Sequence, residues 1–318
     1  MILLCGIPSE PPMARVLARV EQLGLPHLFF NQRHFKSAHI AYELRGGTLT
    51  GTLVLEGREY ALEDIRGVYT RLMDEQLLPE LRGESPGSEA HRHCARLHEV
   101  LRSWCELAPC RVVNRNRPME SNASKPYQAQ LIRESGFLIP ETLITNDPEQ
   151  VLDFRERKGR IVFKSISGVR SIVRQLQEED LTRLHRIRWC PVQFQEFIDG
   201  TNIRVHVVGN EVFATAITTD VTDYRYARKQ GASHLEFEPV ELPEELAERC
   251  VCLAATLELP LAGIDLKRDS EGRVFCFEVN PSPAFSYFEE NAGQPISEAI
   301  ARYLWWGAAE SRNRRDDR

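Results

Sequence analysis

Polar residues set inside apolar runs are where this sequence could do chemistry, because burying an unpartnered charge costs several kcal/mol or forces it to neutralise. Lys164 follows three apolar residues in RIVFKSISG and precedes a loop with Ser165, Ser167, Gly168 and Ser171 that could lie over an anion. Glu196 sits within VQFQEFI beside Gln195, and Arg204 interrupts a second apolar strand, NIRVHVVG. A last segment, AGIDLKRDSEGRVFCFEVNPSP, carries Asp265, Glu278 and Asn280. Asp223 and Arg225 lie in a polar, tyrosine-rich loop, TTDVTDYRYARKQG. Taken singly, each has an ordinary alternative: an edge-strand lysine, an outward-facing acid, a solvated charged loop.

The last segment is the most informative because it reads as a hairpin turning on Asp269-Ser270-Glu271-Gly272. If that turn sets Arg268 opposite Arg273, Asp265 faces Cys276. Glu278 is then its diagonal neighbour on the same face, ~7–8 Å away. Asn280 shares that face, so three oxygen-bearing side chains converge, a donor set suited to a hard cation such as Mg²⁺. A slip of one residue would turn Asp265 to the other face and break the set.

A second cluster, His91, His93, Cys94 and His98, invites a zinc reading, but no second ligand pair at zinc spacing accompanies it, and it reads as part of a helix. The eight cysteines contain no CxxC pair and no export signal precedes them, so they are expected to be reduced in a cytoplasmic protein, most of them as small core residues. No apolar run approaches the ~20 residues of a membrane helix. A net charge of −6 over 318 residues argues against a generally basic nucleic-acid binder.

These residues need elements to hold them. Residues 2–7 read as a buried strand, followed by a helix that Gly24 ends and a strand at 27–30. The connecting loop PSEPPM lacks a glycine fingerprint for a dinucleotide and reads as scaffold. A hairpin is expected over 48–62, a loop over 81–90, a helix carrying Leu97, Leu101 and Trp104, and a strand at 110–114. Residues 114–124 read as a polar linker. Beyond it the pattern predicts a helix over 125–135, a helix from Asp147, strands at 160–167, 172–175 and 192–198, and a hairpin over 202–217 about Gly209-Asn210. A helix over 246–257, the last hairpin and a terminal helix ending near Trp306 complete the pattern. The division expected is an N-terminal α/β domain (1–118), a central lobe (119–193), a C-terminal lobe (194–307) and a disordered tail (308–318).

Taken in this order, the motifs resemble the ATP-grasp superfamily, and most closely its RimK-type branch of ATP-dependent carboxylate–amine ligases. That branch includes ribosomal-protein glutamate ligases and the peptide macrocyclases called graspetide synthetases. The resemblance covers about residues 115–307; residues 1–114 match only by position, as the preceding α/β (pre-ATP-grasp) domain. It implies a two-lobed α+β ATP-grasp fold. Lys125, before a helix, Gly and Pro, and Lys164 would contact ATP phosphates; Glu196 and Phe197 would recognise adenine; Asn202 stands where the family has an aspartate near the ribose. Arg204 and Arg225 would act on the carboxylate and the migrating phosphoryl group, and Asp265, Glu278 and Asn280 would hold Mg²⁺ or Mn²⁺. Three departures are visible: Asn202 for aspartate, a glycine-poor GVRS loop, and PSPAF in place of a glycine-bearing tail.

Such a ligase converts a carboxylate into an acyl phosphate that an amine attacks, giving an amide, ADP and phosphate. Two cationic lysines and a metal would offset the anion–anion repulsion of that first step. The partners implied are a carboxylate substrate and an amine acceptor on an amino acid, peptide or protein side chain; a homodimer is compatible with it. An ATP-grasp kinase acting on a hydroxyl, and a nucleotide-binding protein without turnover, are the competing readings. No residue stands out as the base for the amine.

Overall fold

The computed structural model describes residues 1–85, 87–166, 173–219 and 234–307. The chain opens with β1 (Ile2–Gly6), α1 (Pro11–Gln22) and β2 (His27–Asn31). All five residues of β1 are buried, as a strand covered on both faces must be. After the hairpin strands β3 (His39–Arg45), β4 (Thr48–Leu55) and β5 (Arg58–Ala61) come β6 (Gly67–Thr70), α2 (Glu89–Leu107) and β7 (Arg111–Val113). The parallel sheet runs β2-β1-β6-β7, and β3-β4-β5 form a separate antiparallel sheet. Sequence pattern anticipated β4 and β5 but not β3.

The segment expected to be a polar linker is structured. It contains the short helix α3 (Asn116–Met119) and a 3₁₀ turn at Glu120–Ala123. Its first residue, Asn114, is buried and hydrogen-bonds to Leu261 through both its amide nitrogen and its oxygen. A polar composition therefore marked a stitch between units, not a tether.

Next come α4 (Lys125–Glu134), β8 (Thr142–Thr145), α5 (Pro148–Lys158), β9 (Ile161–Ser165), β10 (Arg174–Gln175), α6 (Glu178–Leu181) and β11 (Val192–Glu196). Asp147 caps α5 by accepting from Glu149 N at 3.0 Å, with Pro148 in the first turn, and Gly159 ends it at φ 71°. Strands β10-β9-β11-β8 form an antiparallel sheet. One face buries Phe163 and Phe194 against Val151 and Phe154 of α5. The alternate residues of β9 and β11, including Val162, Lys164, Gln193 and Gln195, point the other way.

The C-terminal part contains β12 (Thr201–Val208), β13 (Glu211–Thr219), β14 (Leu235–Val240), α7 (Glu244–Thr256), β15 (Leu261–Arg268), β16 (Val274–Asn280), α8 (Ser286–Ala292) and α9 (Ile296–Trp306). Its antiparallel sheet runs β14-β13-β12-β15-β16. Alternation divides β12 cleanly. Ile203, Val205 and Val207 pack with Cys250 and Leu253 of α7 and with Leu257, which caps it, while Arg204 and His206 face the other side, where α8 and α9 meet the N-terminal sheet. Strand β14 was not expected from sequence.

Candidate active site

The hairpin β15–β16 differs in register from the sequence expectation. Arg268 pairs with Val274, not Arg273, so the pairing has slipped by one residue. The slip does not scatter the acids, because Leu266 faces Cys276 while Asp265 faces Glu278, leaving Phe277 as the extra residue of a bulge. Asp265 and Glu278 are therefore direct cross-strand partners, not diagonal ones. Asn280 pairs with Gly263 one step further along that face.

Each acid has a cation. Arg204, 5% exposed, donates from Nη1 to Asp265 Oδ1 at 2.8 Å. Lys125, at the start of α4, pairs with Glu278 and donates to Asn122 Oδ1 at 2.6 Å. Their side chains are 9% and 18% exposed, so this pair is only lightly screened. Asn280 Oδ1 accepts from Ser282 N at 2.9 Å, which fixes the turn into the NPSP segment. Two carboxylates and an amide oxygen on adjacent strands are chemically suited to a hard cation with nucleotide phosphates completing its shell. That donor set fits Mg²⁺ or Mn²⁺, and Lys125 and Arg204 hold its negative charge in check.

A cleft of ≈ 760 Å³ opens between the central and C-terminal sheets. It is lined by Val162, Lys164, Glu196, Phe197, Asn202, Asp265 and Glu278, so most of the expected nucleotide and metal residues share one cavity. Lys164 also borders an adjoining cleft of ≈ 1070 Å³ that includes Lys125 and Gln193. Lys164, Gln195 and Phe277 line both cavities, whereas Lys125 lines the second alone. Gln193 Oε1 is buried and makes no hydrogen bond among the described residues.

The end of the cleft lined by Glu196 and Phe197, where adenine was expected, is more heavily braced than the sequence suggested. Glu196 accepts from Glu141 N at 2.8 Å and lies 3.7 Å from Lys158 Nζ, so its carboxylate pins the entry to β8 while lining the cleft. Phe197 N–H donates to Arg160 O, and the Arg160 guanidinium covers the Phe197 ring at 4.3 Å. Lys267, absent from the sequence reading, also lines this end. Its ammonium donates to Ile198 O at 3.1 Å, lies over Phe197 and Phe277, and is pushed below its ordinary pKa by burial. Its position two residues after Asp265, on the same strand face, was the available signal.

Behind Arg204 the packing is exacting. His206 is fully buried, its Nε2 is 3.5 Å from Arg204 Nε, and its ring meets Phe288 edge-on. Burial and then the neighbouring guanidinium hold His206 well below its ordinary pKa, so it is the neutral base against a permanent cation. Gly263 supplies the space for the guanidinium, since a Cβ there would lie 2.0 Å from Arg204 Nη2. Arg225, Asp223 and the GVRS loop lie outside the described residues.

A family model described as the RimK-like ATP-grasp domain matches residues 123–304, more than half of the chain. The chain belongs to the RimK-like ATP-grasp family. A probable alpha-L-glutamate ligase of Vibrio atlanticus is 25% identical over 232 residues, spanning 69% of this chain and 73% of that protein. Similarity to the solved ATP-grasp ligase PsnB, complexed with a phosphomimetic variant of its minimal precursor, Mg and ADP, has a TM-score of 0.75 at 26% identity and covers 95% of this chain and 97% of that one. A Chryseobacterium gregarium RiPP-associated ATP-grasp ligase in complex with ADP and a leader and core peptide has the same fold, with a TM-score of 0.78 at 21% identity over 95% and 96% of the two chains. This RimK-like protein is accordingly an ATP-grasp ligase, an enzyme that forms carbon–nitrogen bonds. Among the described residues, no helix is long and apolar enough to cross a membrane.

Proposed function

We propose that this ATP-grasp ligase acts on a peptide, activating a carboxylate of the peptide with ATP and joining it to an amine as a peptide or isopeptide bond. The observation that carries the peptide reading is the closeness of the likeness to PsnB over 95% of the chain, a TM-score of 0.75 against 0.57 for a D-alanyl-alanine synthetase A of Vibrio cholerae over the same share.

ATP with its divalent cation supplies the phosphoryl group and the charge neutralisation that makes a carboxylate a competent nucleophile. The chain's own residues do the rest. Asp265, Glu278 and Asn280 hold the cation. Lys164, and Lys125 on exchanging Glu278 for phosphate oxygens, bind the polyphosphate. Phe197, Glu196 and Asn202 line the nucleoside end. Arg204, anchored on Asp265 and backed by His206, presents a fixed guanidinium to the substrate carboxylate, and Arg225 is assigned the migrating phosphoryl oxygens on the family resemblance.

The test is incubation with ATP, Mg²⁺ and synthetic peptides bearing aspartate, glutamate and lysine side chains, including any small peptide encoded beside the gene. ADP release matched by loss of water from the peptide mass, and hydroxamate formation when hydroxylamine is present, is the expected outcome. A peptide that instead gains a phosphate on a hydroxyl would overturn the ligase outcome for that substrate.

A further inference from the structure

The N-terminal sheet ends in two polar residues, Glu10 in the loop expected to be scaffold and Arg71 beyond β6. Its strand order places β1 between β2 and β6, so the chain leaves β1 in one direction and returns on its other side. In open parallel sheets the crevice at the carboxyl ends of two such strands is the usual place for a ligand. Glu10 follows β1 and Arg71 follows β6 at that end. Arg71 N donates to Cys5 O at 2.8 Å, which extends the pairing to the residue itself.

The side chains there are built, not merely adjacent. Arg71, 12% exposed, donates from Nε to Glu10 Oε1 at 2.8 Å, and its Nη2 lies 2.6 Å from the same oxygen. Its Nη1 donates to Ser282 Oγ at 2.8 Å and lies 3.4 Å from Pro283 O. Ser282 is in turn bonded to Asn280. Glu10 is the N-cap of α1 yet makes no capping bond with its side chain, so its carboxylate is given to Arg71 instead. Both Arg71 contacts fall on Oε1 of a side chain that is 31% exposed, which leaves Oε2 with acceptor capacity. Tyr69, two residues before Arg71 and 1% exposed, sets its buried hydroxyl beside the Arg71 guanidinium.

We propose that Glu10, oriented by Arg71, is the subsite for the acceptor amine; this rests on the ligase reading above. Strand β16 leads from the cleft-lining Phe277 and Glu278, through Asn280, to Ser282 and then Arg71. Glu10 therefore stands at the end of the hydrogen-bonded series away from the nucleoside end. A carboxylate oxygen there accepts an N–H of a primary amine and turns the nitrogen lone pair toward the acyl carbon. In the transfer the C–N bond forms as the acyl C–O bond to phosphorus breaks. Phosphate leaves with the electron pair, and the attacking nitrogen passes one proton to Glu10 Oε2. Arg71 contacts no substrate in this scheme and is a positioning residue.

The experiment compares two nucleophiles on the same activated carboxylate. A synthetic peptide bearing glutamate and lysine is incubated with ATP and Mg²⁺, with and without concentrated hydroxylamine, which is small enough to reach the acyl carbon without a subsite. For the isosteric, partly exposed Glu10→Gln the ratio of amide to hydroxamate is expected to fall about tenfold or more, the loss of one charge-assisted contact. Arg71→Lys, which keeps the charge and loses the fork, is expected to lower the same ratio. An unchanged ratio with both products equally reduced means that Glu10 and Arg71 only clamp the NPSP segment, and overturns the subsite. If wild type forms neither product from any peptide tested, the peptide reading fails and the subsite falls with it; amide and hydroxamate from wild type with normal ratios in both variants removes the subsite alone.

Discussion

Lys125 and Glu278 form an ion pair that joins the first turn of α4 to β16. A residue expected on phosphate and a residue expected on metal therefore neutralise each other, and with those proposed roles nucleotide binding would exchange that pairing for two new ones. Lys125→Ala is expected to weaken ATP binding by about 1.5–3 kcal/mol through the lost charge-assisted contact. It also leaves Glu278 as a mostly buried, unpartnered carboxylate, so Mg²⁺ alone should raise the melting temperature more in Lys125→Ala than in wild type. Calorimetry with ATP and melting curves with and without Mg²⁺ check the two effects. Equal Mg²⁺ stabilisation in both proteins would take Glu278 out of the metal site.

Glu278→Gln separates shape from charge. The side chain keeps its size while the cation loses one of its two carboxylates, so nucleotide is expected to bind and Mg²⁺-dependent turnover to fall about a hundredfold or more. The comparison is ADP affinity against single-turnover rate. Unchanged turnover would remove the carboxylate from the chemistry.

Gly263 controls Arg204. A Cβ at this position would lie 2.7 Å from Arg204 Cζ and 2.8 Å from Pro283 Cβ, and the guanidinium is already enclosed by Asp265, His206 and Phe288. Gly263→Ala is expected to cost about 1–3 kcal/mol of stability by overpacking, and to lower kcat by moving Arg204. A double-mutant cycle checks the cause. If Arg204 carries the effect, Gly263→Ala should do little further harm to turnover in an Arg204→Ala background.

How far the sequence discloses this site follows from how local each signal is. Lys164 and Arg204 are legible because a charge inside an apolar strand is anomalous within a few residues. The convergence of Asp265, Glu278 and Asn280 is legible as a set, but the reason they converge is not: the turn slips by one residue and the Phe277 bulge restores the shared face. That bulge lies where Leu138, far away in sequence, accepts from Cys276 N at 2.8 Å. The bracing of Glu196 depends on Glu141 and Lys158, and the bond between Arg71 and Ser282 spans 211 positions. Contacts of that range leave no periodic trace in either segment. Strand β14 carries only a short alternation, Leu235 and Phe237 between Glu236 and Glu238, after a long polar stretch, and its pairing with β13 is what fixes it as a strand.

His206 gives the fold a calculable sensitivity to acid. Burial first, and Arg204 second, hold its folded-state pKa well below the ordinary value of 6.5, whereas the unfolded chain titrates near that value. Below 6.5 the unfolded state therefore binds a proton that the folded state refuses, and unfolding is favoured as pH falls. The stability contribution is complete above the ordinary histidine value and is lost progressively beneath it until the folded-state value is reached. His98, also lowered by burial, acts in the same direction, so the informative quantity is a difference between proteins. His206→Leu leaves only His98 to act in this way and also removes the acceptor beside Arg204. Its melting temperature should be lower than wild type at neutral pH but should fall less on acidification to one unit below 6.5. Melting curves at those two pH values decide it: parallel losses in the two proteins would mean that His206 is not the buried neutral base behind Arg204.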